Sequence, residues 1–81
     1  MPTILREGPY RFYFHSHESN EPPHIHVDRE RFSAKFWLAS SVTLARNVGY
    51  SPRELRIIHS VVVKHQTEFV EAWHEYFGSG N

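Results

Sequence analysis

Two adjacent prolines, Pro22 and Pro23, followed at once by the alternating run His24-Ile25-His26-Val27-Asp28, constrain this chain more than any other stretch. Each proline fixes its own φ and lacks an amide donor, so the segment entering them is neither helix nor central strand. The run after them alternates imidazole, aliphatic, imidazole, aliphatic, carboxylate, which is the period of a β-strand with one apolar and one polar face. The spacing predicts a strand that sets His24, His26 and Asp28 on one surface and anchors Ile25 and Val27 in the core behind them.

The flanking chain supplies partners for such a strand. Tyr10, Phe12 and Phe14 alternate with Arg11, Tyr13 and His15, and aromatic residues at period two are a strand signal. Ser16 to Pro23 is polar and reads as an exposed loop, making a wide hairpin. Arg29-Glu30-Arg31 is a charged turn. Ala34, Phe36 and Leu38 then alternate with Lys35 and Trp37, which predicts the next strand of a meander. Val42 to Ala45 fits either a strand or a helical turn, and its β-branched residues favour strand. At the start, Ile4-Leu5-Arg6 is a short apolar segment that ends in a Gly8-Pro9 turn.

Ser51-Pro52-Arg53-Glu54 is a helix start: Ser51 can accept from the Glu54 amide, and Pro52 has its φ preset where no donor is needed. Leu55, Ile58, Val62, His65, Phe69, Trp73 and Tyr76 then recur at helical spacing. One helix over about 51–77 would be roughly 39 Å long, more than a small sheet needs, so it either projects or breaks near Gln66-Thr67. Ile57, Val61 and Val63 fall off the main stripe. They predict either a broad buried face or a second surface that meets a homodimer mate or another protein.

The expected fold is therefore α+β: a curved antiparallel sheet of four or five strands within residues 3–46, packed on one long C-terminal helix, with residues 78–81 as a tail. Tyr10, Phe12, Phe14, Ile25, Val27, Phe36, Leu38, Leu55, Ile58, Val62, Phe69 and Trp73 are the expected core. Eighty-one residues suit a single domain spanning 1–81. With no cysteine, neither a disulfide framework nor a thiolate metal site supports it, which is compatible with a reducing cytoplasm. No apolar stretch is long enough to cross a membrane and no basic leader opens the chain, so a soluble, unexported protein is expected.

Nine Lys and Arg balance nine Asp and Glu. The balance holds by halves, five against five in residues 1–40 and four against four in 41–81. A broad electrostatic footprint for RNA is therefore disfavoured. Seven histidines are many for this length, and their charge responds to pH near neutrality. His24 and His26 on one strand face, with His15 and His17 across the hairpin, are candidate ligands for a divalent metal. Such a site needs at least three converging groups, which spacing alone does not give; no cofactor is otherwise expected. Alternatively His24 and His26 beside Asp28 divide as proton donor and acceptor around a phosphodiester, with Arg29 or Arg31 supplying charge. Lys35 and the aromatic rings Tyr13 and Trp37 complete the candidate binding residues, the rings as base-stacking platforms or as an interface.

Taken together, Met1-Pro2-Thr3-Ile4, the aromatic strand to Phe14, Asn20-Glu21-Pro22-Pro23-His24-Ile25-His26-Val27, Ala34-Lys35-Phe36-Trp37-Leu38, Gly49-Tyr50-Ser51-Pro52-Arg53-Glu54-Leu55 and Glu71-Ala72-Trp73-His74-Glu75-Tyr76-Phe77 carry a likeness over nearly the whole chain. The sequence resembles the small bacterial domain-of-unknown-function family DUF4160, whose hallmark falls on Pro22, Pro23, His24 and His26. That resemblance implies a cytoplasmic bacterial protein encoded beside a small DUF2442-like protein, the two forming a toxin–antitoxin-like pair. It implies no catalytic residues. The His15-Ser16-His17 cluster departs from the family's pattern.

Overall fold

In a computed structural model of the chain, residues 3–16 and 20–78 are described. Five strands come first, β1 (Thr3–Glu7), β2 (Tyr10–Tyr13), β3 (His24–Arg29), β4 (Phe32–Trp37) and β5 (Thr43–Val48); two helices follow, α1 (Pro52–Lys64) and α2 (Gln66–Phe77). The strands form one open sheet in sequence order, every neighbouring pair antiparallel.

Turn chemistry sets this meander. Gly8 at φ 58° and Pro9 make the two-residue link between Glu7 and Tyr10, which face each other across β1 and β2. Glu30 at φ 55° begins the equally tight turn that pairs Arg29 with Phe32. The diproline still takes part in the sheet, because a carbonyl needs no amide beside it: the Leu38 amide donates to the Pro23 carbonyl at 3.0 Å and extends the β3–β4 ladder by one link.

The helices cover one sheet face, where Phe12, Ile25, Val27, Ala34 and Phe36 meet Ile58, Val62, Phe69 and Trp73. The Phe12 and Phe69 rings stack at 5.7 Å. Tyr10 and Leu55, expected in the core, border it instead, while Ala34, Val42 and Tyr50 join it. Tyr50 enters because its hydroxyl reaches the carbonyls of Val27 at 3.1 Å and Phe32 at 3.3 Å, which makes a phenol tolerable at 4% exposure. The β5 strand runs through Asn47 and Val48, two residues past the expected end of the sheet.

The single long helix is corrected to two adjacent ones. The junction is His65, whose φ of −106° and ψ of 15° leave the helical region. Hydrogen bonds still bridge it, from the His65 amide to Val61 and from the Phe69 amide to His65, so the rod bends without parting. Two side-chain hydrogen bonds hold the junction: Gln66 donates to the Leu38 carbonyl at 2.6 Å and the His65 ring meets Glu68 at 2.7 Å, while the other His65 nitrogen lies 3.4 Å from Glu7 without a hydrogen bond among the described residues. A straight rod of about 39 Å would also outrun the molecule, whose longest extent is 35 Å. Bending returns Phe69 and Trp73 to the sheet. Of the residues off the main stripe, Val61 packs against the core, whereas Ile57 and Val63 are about half exposed.

Candidate functional site

Strand alternation and register together build a row across the sheet face away from the helix-packed core. Tyr13 on β2 faces His26 on β3, His26 faces Lys35 on β4, and Lys35 faces Arg46 on β5. A flanking row runs from Arg11 through Asp28 and Ser33 to Val48. His15, His26, Ser33, Lys35, Trp37 and Arg46 line a cleft of about 430 Å³. Arg46 reaches it through a bulge: the register passes from Lys35↔Arg46 to Phe36↔Leu44 and skips Ala45. Leu44 and Arg46, two residues apart, therefore face opposite sides of the sheet.

The aromatic rings at and beside the cleft are close packed; Tyr13 lies next to it rather than in its lining. His15 and His26 have centroids 4.2 Å apart, and Tyr13 stacks on His26 at 5.3 Å with 23° between the planes. Tyr13 donates to Asp28 Oδ2 at 3.0 Å, and burial together with that carboxylate pushes its phenol up to about 12. The second oxygen, Asp28 Oδ1, is buried without a hydrogen-bond partner among the described residues. Lys35 donates to Glu21 at 2.6 Å and lies 4.6 Å from the Trp37 ring centre, so its charge is partly answered.

His24 shares the face with His26 and Asp28, as the alternation predicts, yet it sits outside the cleft and is fully buried. Its Nδ1 lies 2.9 Å from the Pro22 carbonyl and 3.6 Å from Glu21 Oε1, and since a carbonyl only accepts, that nitrogen carries a proton. Trp37 and Trp73 hold the ring at centroid distances of 5.6 and 4.8 Å. Arg29 is directed to the helical side, where its guanidinium grips both Glu54 oxygens at 2.6 and 2.9 Å while Tyr10 donates to the same carboxylate at 2.7 Å. Arg31 occupies the β3–β4 turn and does not line the cleft. Of the metal candidates, His15, His24 and His26 approach one another, and His17 lies outside the described residues. Among the described residues, no three His, Cys, Asp or Glu side chains gather as a metal centre.

Arg46 was missed in the sequence. Halving the chain hides its signal: residues 31–64 contain Arg31, Lys35, Arg46, Arg53, Arg56 and Lys64 against Glu54 alone. A narrower window would have exposed this cationic stretch.

A family model described as a domain of unknown function, DUF4160, matches residues 10–74. The chain belongs to the DUF4160 family. The match takes in the diproline, the whole cleft and the start of α2, so the histidine face lies within what defines a DUF4160 domain. No curated protein and no solved structure matches the chain. Among the described residues, no helix is long and apolar enough to cross a membrane.

Proposed function

We propose that this DUF4160 protein is one component of a bacterial toxin–antitoxin-like two-protein module and works in the cytoplasm by binding a small cognate protein, the DUF2442-like product of a neighbouring gene. The observation that carries this reading is the incompleteness of the sheet on one side. All six residues of β5 are exposed, beside an open face with a cationic cleft. Exposed Ile57 and Val63 on α1 add apolar surface, as expected where a small domain meets a second chain. Expressing the protein with and without its neighbour, and following growth and co-purification, tests the reading. Growth arrest by one member, relieved by the other through a purified complex, supports it; two harmless proteins that do not associate would sink it.

A second reading rests on the His15–His26 pair. Two imidazoles in contact, with Arg46 and Lys35 alongside, have the composition needed to pass a proton across a phosphodiester while stabilising its charge. In this version the DUF4160 domain cleaves RNA or another phosphoester. The test pairs His15→Ala with His26→Ala: cleavage of a single-stranded RNA should vanish in a variant that keeps its helical circular dichroism. His24 is unsuited to this test because its loss disturbs the core.

A further inference from the structure

We infer that β5 is a docking edge for an extended, acidic segment of the partner, which adds to the sheet as a sixth strand. The inference rests on the protein-binding reading above and names its surface. As the last strand of the sheet, β5 has nothing paired along its outer side among the described residues. An antiparallel edge turns the amide and carbonyl of alternate residues outward, ready for another strand.

Side chains on the two sides of β5 specify what that strand must carry. On the helical side, Leu44 is 45% exposed and borders a groove with Phe36, Leu55, Arg56 and His59, a seat for an apolar side chain. On the open side stands Arg46. None of the ion pairs among the described residues involves Arg46 on β5 or Arg56 beside Leu44 in the groove. These two charges flank the edge unneutralised, and carboxylates in the incoming strand complement them.

The same charges disfavour a second copy, because a β5–β5 pairing would bring two Arg46 side chains and their cationic surroundings together. Of the acidic residues of a second copy, Glu68, Glu71 and Glu75 are on α2, where Glu68 already meets His65 at 2.7 Å, and a helix has no spare ladder to offer. The Ala45 bulge and the charge of Arg46 are the devices that keep an edge from pairing with itself, while an acidic strand matches them.

The test mixes the full-length protein with its purified neighbour and follows amide hydrogen exchange by mass spectrometry. Exchange over residues 43–48 should slow in the complex, and Arg46→Glu and Leu44→Glu should each weaken binding by about tenfold or more. Arg6→Glu on the opposite edge strand should leave affinity unchanged. A complex in which residues 43–48 exchange as in the free protein overturns this docking edge and leaves the protein-binding reading standing. So does protection of 43–48 in the protein alone at high concentration, the sign of a homodimer. Absence of any complex overturns both.

Discussion

The Nδ1 atom of His24 and the carbonyl oxygen of Pro22 lie 2.9 Å apart, so the diproline holds the first histidine that follows it. His24 and His26 look equivalent in the sequence, but one is built into the structure and the other borders a cleft. His24→Ala should therefore cost about 2–4 kcal/mol, through a lost hydrogen bond and a cavity between two tryptophans. His26→Ala should cost less, since solvent can refill space at the cleft. Urea unfolding of the two variants checks this; equal losses would contradict it.

The Arg29–Glu54 pair gives a pH dependence with a definite sign. Hydrogen bonds from Arg29 and Tyr10 hold the Glu54 carboxyl below its ordinary value of 4.5. Its contribution is present in full above the unfolded value and is lost as pH falls through the lower folded one. Glu54→Gln should flatten this part of the acid unfolding profile below about pH 4.5. An unchanged acid limb in the variant would show that the pair does not couple folding to pH.

Tyr13 titrates in the opposite sense. Its phenol is raised from 10.0 to about 12, first by burial and then by Asp28. The unfolded chain ionises first, so the contribution is present below about pH 10 and is lost as pH rises toward the folded value. Asp28→Asn should lower the Tyr13 value without returning it to 10.0, because burial remains. Ultraviolet titration of the wild type and the variant, each against its Tyr13→Phe counterpart, reads the shift.

Gly8 and Gly49 both have positive φ, at 58° and 103°, but their surroundings differ. A Cβ at Gly8 meets nothing within 4 Å, whereas one at Gly49 runs into the Phe32 ring. Gly8→Ala should cost about 1 kcal/mol of backbone strain, and Gly49→Ala at least twice that, because Phe32 must also shift. Thermal unfolding should rank them in that order; the reverse order would mean the Phe32 ring yields freely.

Local signals carried much of the architecture. The alternation in residues 10–15, 24–28 and 33–38 gave three strands with their correct faces, and Ser51 caps α1 through the Glu54 amide as expected. The helix break was harder to place because its cause is tertiary: Leu38, distant in sequence, ties down Gln66 through its carbonyl. Arg46 escaped notice because a bulge reversed its side of the sheet, and a one-residue register shift has no signature in composition. The divergence of His24 from His26 was likewise invisible, since Trp73 reaches His24 from the far end of the chain.

Whether another chain completes this domain decides what it does. Light scattering of the purified protein, its neighbour and their mixture on size exclusion is the most direct measurement. The expected result is a new species at the summed mass of the two proteins, weakened by added salt as a cationic edge requires. Two unshifted peaks at every mixing ratio would contradict it.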